Sequence, residues 1–247
     1  MTDDVAHFRE HGWVLTLSPV EPPLVASWVE EVAAWPDGDG PWLHHRELTD
    51  TGPQLCRTEN FVPFHAGLRA LLTTGGMLDT ASALLGEPAV LYKEKINYKL
   101  PGGAGYAPHQ DAPAYRFVQT HVSCMVAVDD ATVDNGCLEV ASGQHHELLA
   151  MDDAGCIRAD VVASLDWQPV EVRAGETLWF HSRTPHRSGP NLGTRPRRAL
   201  YPTYNAAAEG DLRAAYYEQK RAELAVADAG DRVPVSLIGD FQGRPVR

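Results

Sequence analysis

The residues most able to do chemistry are a histidine and an aspartate two positions apart, His109 and Asp111. On an extended strand, residues i and i+2 share a face, so this imidazole and carboxylate can point into one site. Together they would hold a divalent metal ion, and a third ligand should come from a distant strand. Of the eleven histidines, His186 is the best candidate, because it follows a predicted strand and precedes clustered arginines. Two histidines and one carboxylate form the facial set of non-haem Fe(II) oxygenases, which leaves coordination positions open.

The positive charges of this acidic chain are concentrated in two places. Lys+Arg 21 against Asp+Glu 33 gives a formal net charge of -12, so a broad nucleic-acid surface is not expected. Of the lysines, Lys93, Lys95 and Lys99 lie within seven residues of each other, and five arginines lie between positions 183 and 198. This grouping favours an anion site, and the alternative is a pair of solvated surface patches.

Residues 90–100 alternate as a strand does, with apolar and aromatic side chains at even positions and Lys93, Lys95, Asn97 and Lys99 at odd positions. The odd face can line a cavity that takes an anion. Alternatively, the even face forms the core and the lysines lie in solvent, since a buried lysine without a partner is costly. The pattern leaves both orientations open.

The elements that must position these residues are mainly short strands. Beyond residues 90–100, strands are predicted at 117–129, 137–141, 168–173, 177–181 and 197–205. Glycine-rich turns separate them, which favours a sandwich or a closed jelly roll. Helices are predicted around a short strand in residues 3–35, at 67–85 and at 211–225, whereas residues 36–56 are predicted to form a loop.

Four motifs follow one another along the chain. They are Phe8 with His11-Gly-Trp-Val14; Lys99-Leu-Pro-Gly-Gly103 with His109-Gln-Asp111; Asn135-Gly-Cys-Leu-Glu-Val-Ala-Ser-Gly-Gln-His145; and His186-Arg-Ser-Gly-Pro-Asn191 with Arg197. In this order they resemble the phytanoyl-CoA dioxygenase family of Fe(II)- and 2-oxoglutarate-dependent oxygenases over most of the chain. Gln144 departs from the family pattern, which has serine there, and this should affect the turn rather than catalysis.

The resemblance implies a mainly β fold, a double-stranded β-helix (a cupin-like jelly-roll barrel) with flanking α-helices. The chain has no repeat and no linker, so we expect one domain over residues 1–247. Within it we expect an N-terminal helical cover at about 1–88, a barrel core at about 89–205, and a C-terminal helix and tail at 206–247.

The resemblance also assigns roles to residues. It implies that His109, Asp111 and His186 bind Fe(II), and that Arg197 clamps a carboxylate of 2-oxoglutarate, with O2 as co-substrate. An arginine can bind a carboxylate with two parallel hydrogen bonds. Arg198, its neighbour on a strand, should face the other way.

Further candidates come from the strands around the predicted metal site. Those for contact with 2-oxoglutarate are Asn97, Lys95 and Ser123. Those for contact with the substrate are Lys93, Gln119, His121 and Tyr201.

The implied reaction is hydroxylation of an unactivated C–H bond in a small polar or anionic metabolite. Residues 92–113 are also similar to family members that hydroxylate organophosphonates such as 2-aminoethylphosphonate. An amino acid derivative or a natural-product intermediate is the alternative substrate. Two other classes stay open: a cupin-like metal enzyme that does not use 2-oxoglutarate, and a catalytically silent binding module.

The sequence also bears on location and partners. Cys56, Cys124, Cys137 and Cys156 show no CxxC pairing and no disulfide-scaffold density, which indicates a reducing compartment. The first residues lack the plan of a signal peptide, and no apolar stretch approaches the roughly 18–20 residues of a membrane helix. We therefore expect a cytoplasmic monomer or homodimer that acts on a small molecule, without a nucleic-acid or membrane partner.

Overall fold

The computed structural model describes residues 2–37, 40–115, 117–119, 121–227, 235–236 and 238–246. The helices in these ranges are α1 Thr2–His11, α2 Pro22–Ala33, α3 Ala66–Thr73, α4 Gly75–Leu85, α5 Ala159–Val162 and α6 Arg213–Ala227. The strands are β1 Trp13–Leu17, β2 Leu43–Thr49, β3 Gly52–Glu59, β4 Ala89–Lys99, β5 Tyr106–His109, β6 His121–Ala127, β7 Leu138–Ala141, β8 Trp167–Val170, β9 Glu176–His181, β10 His186–Ser188, β11 Arg197–Ala206 and β12 Pro245–Val246. None of the helices in the described ranges is long and apolar enough to cross a membrane.

The strands form two antiparallel sheets that pack against each other. The larger has the order β1-β9-β6-β11-β4-β3-β2-β12, and the smaller has the order β5-β10-β7-β8. Their facing sides share one apolar cluster, in which Met125 and Phe180 of the larger sheet pack with Leu138 and Val140 of the smaller. The arrangement confirms the expected mainly β jelly-roll class.

Helices cover the outer side of the larger sheet. Residues from α2, α3 and α4 share an apolar cluster with Ile96, Trp179, Leu200 and Tyr204 of the sheet. Strand β4 is therefore buried on both sides: Ile96 and Tyr98 pack under the helices, and the odd positions from Lys93 onward are enclosed within the barrel.

In the N-terminal region, two predictions of local structure are wrong. Residues 36–56 were expected to form a loop, but they include β2 and the first part of β3, so the N-terminal region supplies strands β1 to β3 of the larger sheet as well as helices. The reason is that β3 pairs with β4 and buries polar side chains, so it lacks an apolar pattern. The helix expected at 67–85 divides at Thr74, whose φ of −144° and ψ of 164° are those of an extended residue.

Gly136, in the turn before β7, joins the two sheets through its carbonyl oxygen. That oxygen accepts hydrogen bonds from Nη2 of Arg197 at 2.8 Å and from Nζ of Lys99 at 3.3 Å. Gly136 has a φ of +74°, which only glycine adopts easily, and an added Cβ would overlap the carbonyl oxygen of Gly189. No other residue type fits here.

Gly136→Ala should therefore lower the free energy of unfolding by about 2–5 kcal/mol, because backbone strain and overpacking add. Gly102→Ala is the matched control, since Gly102 has a φ of +78° but open space around its Cβ position. Gly102→Ala should lower the free energy of unfolding by about 1–2 kcal/mol, because only backbone strain acts there. Urea unfolding of both variants measures the difference, and equal losses would contradict this account of the turn.

Candidate metal centre and active site

Three buried side chains, His109, Asp111 and His186, converge between the two sheets. Their ligand atoms all lie within 4.8 Å of one another. His109 ends β5 and is paired in register with His186 at the start of β10. Asp111 is not on a strand as expected, since β5 stops at His109 and Asp111 opens a 3-10 turn. The turn still brings Oδ1 of Asp111 to 3.9 Å from Nε2 of His109.

Backbone carbonyls orient both imidazoles. Nδ1 of His109 lies 2.7 Å from the oxygen of Ala107, and Nδ1 of His186 lies 3.0 Å from the oxygen of Thr184. A carbonyl can only accept, so each Nδ1 carries the proton, and each Nε2 has a lone pair in the neutral ring. Burial, and then the charge of His109, lowers the pKa of His186 to about 4, so its ring is neutral at physiological pH. Both rings thus meet the requirement for metal ligands.

Asp111 is held as a carboxylate by hydrogen bonds and by nearby cations. Oγ of Ser123 donates to its Oδ2 at 2.9 Å, and the hydroxyl of Tyr115 donates to its Oδ1 at 3.4 Å. Burial by itself would raise the pKa of Asp111, but His186, followed by Lys93 and Lys95, holds that pKa below its usual range. The centre therefore combines one carboxylate with two imidazoles that turn their Nε2 atoms toward it, which fits a divalent cation.

Lys93 and Lys95 face a cavity beside this centre, which resolves the two orientations left open by the sequence. The cavity combines apolar side chains with a few polar and charged ones, as small-molecule sites do. It is lined by residues of both sheets and of the C-terminal segment: Lys93, Lys95, Asn97, Tyr106, His109, Asp111, Ser123, Leu138, Phe180, His186, Arg187, Ser188, Tyr201, Thr203 and Asp240.

The two lysines lie inside the barrel without a carboxylate partner among the described residues. Nζ of Lys93 lies 4.1 Å from the centre of the Tyr115 ring, and Nζ of Lys95 lies 5.4 Å from that of Tyr201. Neither ammonium forms an ion pair with a carboxylate of the described residues. Burial, and then the charge of Arg57, lowers the pKa of Lys95 to about 8, and burial lowers that of Lys93 well below its usual value. An anionic ligand would stabilise both ammonium groups.

Arg197 is a buried cation on β11 that also lacks a carboxylate partner in the described part of the chain. Its Nη1 donates to the hydroxyl of Tyr201 at 2.9 Å, and its Nη2 donates to the oxygen of Gly136. Its Nε is buried without a hydrogen-bond partner among the described residues. Arg198 points to the opposite side, where it pairs with Asp129 and Glu30, as expected.

Lys99 lies on β4, opposite Arg197 of β11. Its role differs from that of Lys93 and Lys95 on the same strand. Its Nζ donates to Oγ of Ser188 at 2.9 Å and to the oxygen of Gly189 at 2.6 Å. These bonds connect the two sheets, so we interpret Lys99 as a structural residue at this end of the barrel.

A second cavity adjoins the first and shares Lys93, Lys95, Asp111 and Asp240 with it. Its floor is a buried ionic cluster in which Glu59 lies 2.6 Å from Nζ of Lys220 and 3.4 Å from Nη1 of Arg57. Nε of Arg57 donates to Oδ1 of Asn97 at 3.1 Å. Sequence reasoning missed four residues of this cavity: Arg57, Glu59, Lys220 and Asp240.

The missed residues gave little signal. Arg57 and Glu59 belong to β3, whose start was assigned to a loop, and their charges are typical of an exposed segment. Lys220 lies on α6, and Asp240 lies in the tail, far from every motif. Only the packing of α6 and of residues 238–246 against the barrel reveals them.

Most of the further candidates lie in the cavity, but two do not. Ser123, Asn97, Lys95, Lys93 and Tyr201 all line it. Gln119 is exposed, and its backbone N–H donates to Glu209 at 2.8 Å. The expected strand begins at residue 121 rather than 117, so Gln119 precedes it.

His121 is fully buried behind Tyr115, with ring centres 4.8 Å apart. It borders a different cavity, next to His145, His146 and His181. Neither Gln119 nor His121 lines the cavity at the metal centre, so their contact with the substrate stays a prediction.

Comparison with known proteins agrees with this geometry. The family model described as Phytanoyl-CoA dioxygenase (PhyH) matches residues 8–199. The chain is 51% identical to a methylphosphonate hydroxylase of Gimesia maris over 94% of this chain and 90% of the relative. It is 42% identical to a 2-aminoethylphosphonate dioxygenase of an uncultured bacterium, over 80% and 77% of the two chains.

A solved structure shares the fold. EctD from S. alaskensis, crystallised with 2-oxoglutarate and 5-hydroxyectoine, superposes with a TM-score of 0.74 at 19% identity, covering 85% of this chain and 77% of that one.

Proposed function

The chain belongs to the phytanoyl-CoA dioxygenase family, and on that premise we propose that it hydroxylates small organophosphonates at the centre formed by His109, Asp111 and His186. It is an Fe(II)- and 2-oxoglutarate-dependent dioxygenase. When bound, this pair supplies the oxidative chemistry: with O2, 2-oxoglutarate becomes succinate and carbon dioxide, and a C–H bond of the substrate becomes C–OH.

The three ligands and Arg197 fit these groups. The Nε2 lone pairs of both histidines and a carboxylate of Asp111 would hold the iron on one side, leaving positions for the co-substrate and oxygen. Arg197 would bind the distal carboxylate of 2-oxoglutarate, because its guanidinium is buried, charged and lacks an anion among the described residues. Tyr201 and Ser123 position Arg197 and Asp111 through their hydroxyls.

The lysine pair is the observation that carries the phosphonate assignment. Lys93 and Lys95 are enclosed near Asp111, and neither has a carboxylate partner in the described residues. A phosphonate offers three oxygens and up to two negative charges, so it can contact both ammonium groups at once. The two phosphonate-oxidising relatives support this reading over a carboxylate substrate.

A substrate panel tests the proposal. The protein is loaded anaerobically with Fe(II) and 2-oxoglutarate, mixed with methylphosphonate, 2-aminoethylphosphonate, acetate or β-alanine, and then exposed to oxygen. Succinate release should rise only with a phosphonate and should match the hydroxylated phosphonate seen by phosphorus NMR. Asp111→Ala and His109→Ala should reduce it to background, because each removes a metal ligand.

His146→Ala is the control, since that histidine is exposed and borders another cavity. Phosphonate turnover that survives in Asp111→Ala would contradict the metal assignment. Turnover with only the carboxylates would favour an amino acid derivative or a natural-product intermediate. Failure to bind 2-oxoglutarate would favour a cupin-like enzyme of another type, and binding without turnover of any substrate would favour a silent module.

Arg197→Gln should raise the Kd for 2-oxoglutarate by about 30-fold or more, the usual effect of removing one partner of a buried charge pair. Arg198→Gln, on the opposite side of the same strand, should leave that Kd within about twofold. Anaerobic titration calorimetry measures both. A similar loss in the two variants would show that the effect comes from folding rather than from carboxylate binding.

We further propose that the enzyme works in the cytoplasm as a monomer or homodimer, as one domain, and without a nucleic-acid or membrane partner. The four cysteines support a reducing compartment, since all are free and buried. The net charge of -12 disfavours a nucleic-acid surface.

A further inference from the structure

Asp240 is a buried carboxylate in the metal cavity that is not one of the three ligands. It is 3% exposed and borders both adjoining cavities. Its backbone is fixed against β5, because the N–H of Ala107 donates to the oxygen of Asp240 at 2.6 Å and Phe241 bridges to Tyr106. Its position is thus set by the barrel itself.

The carboxylate of Asp240 lacks a hydrogen-bond donor from the described protein. Its Oδ2 lies 3.3 Å from Nε2 of His109, but in the metal-binding form of His109 that nitrogen carries no proton, because Nδ1–H donates to Ala107. Its Oδ1 is buried and accepts no hydrogen bond from any described residue. A buried carboxylate without a donor is costly, so a ligand in the cavity should supply one.

The same cavities hold charges of both signs. Lys93 and Lys95 interact electrostatically with Asp111, and Lys95 also with Asp240, but neither lysine forms a direct ion pair with Asp240 within the described residues. A ligand with an anionic end and a cationic end would satisfy both. A phosphonate without a cationic group would leave the buried carboxylate of Asp240 without a hydrogen-bond donor.

On the basis of the proposed function, we infer that Asp240 is a specificity residue that binds the ammonium group of an aminoalkylphosphonate, whose phosphonate contacts Lys93 and Lys95. Asp240 lies beside the metal ligand His109, and the lysines lie near the metal ligand Asp111. Fixing the two ends of 2-aminoethylphosphonate would therefore hold the carbon chain between them in front of the metal centre. The site selects substrates by charge at both ends.

A matched pair of ligands tests the inference. Propylphosphonate has a methyl group where 2-aminoethylphosphonate has its ammonium, so the two differ in charge and hardly in size. Their Kd values are measured by anaerobic calorimetry on the Fe(II)- and 2-oxoglutarate-loaded protein. The wild type should bind 2-aminoethylphosphonate about tenfold or more tightly, as expected for a buried charge pair.

Asp240→Asn keeps the shape of the side chain and should bring the ratio of the two Kd values to about one, with that for propylphosphonate changed by less than about threefold. Asp160→Asn is the control, since Asp160 is exposed and pairs only with Arg158 among the described residues. Its Kd ratio should stay at the wild-type value.

Three results would overturn the inference. They are equal binding of both ligands by the wild type, an unchanged ratio in Asp240→Asn, and loss of Fe(II) binding in Asp240→Asn, which would make Asp240 a metal ligand. The first needs no variant, so it decides even if Asp240→Asn fails to fold. Failure of the proposed function is distinguishable, because then neither phosphonate binds the wild type.

Discussion

Charge enclosed in the barrel without protein partners is the constraint on which the site depends. Lys93 and Lys95 line the metal cavity, and Arg197 is buried on β11, where it donates to Tyr201 of that lining. None of the three forms an ion pair among the described residues, and Asp240 has no hydrogen-bond donor there. Buried charges without a direct partner are unfavourable, so ligands of complementary charge should stabilise this arrangement. A divalent metal, a dicarboxylate and a substrate with one anionic and one cationic end together provide these complementary charges. Stability and function are therefore linked through the same few side chains.

Each of the two sheets contributes different charged residues to the site. The smaller sheet pairs the strands of His109 and His186, so its register sets the spacing of the two imidazoles. The larger sheet contributes the lysines of β4, and β6 and β11 add the hydroxyls and the arginine that position the ligands. Gly136, Lys99 and Arg197 connect the sheets at one end. A shift between the sheets would separate the metal from its co-substrate site.

The sequence predicted the parts of the fold whose pattern is local. Alternation located the core strands, and motif spacing selected His109, Asp111 and His186 from a chain of many histidines. The sequence did not predict β2 and β3, because their buried charged residues resemble those of a solvated loop. It also left open the direction of the β4 lysines, because both faces of that strand are buried. Arg57 and Asp240 could not be predicted, since only long-range packing brings them to the cavity. Gln119 was expected in the cavity but lies outside it, because the strand begins at residue 121. His121 was also expected there but lies outside, because its ring is behind Tyr115.

The position of a bound phosphonate relative to the metal tests the central claim most directly. It is measured as the paramagnetic relaxation of the 2-aminoethylphosphonate phosphorus in Co(II)-loaded protein, with Zn(II)-loaded protein as the diamagnetic reference. The account predicts strong relaxation that is lost when Lys93 and Lys95 are both replaced by methionine, while the metal content is unchanged. Absence of relaxation in the wild type, or full relaxation in the double variant, would contradict it.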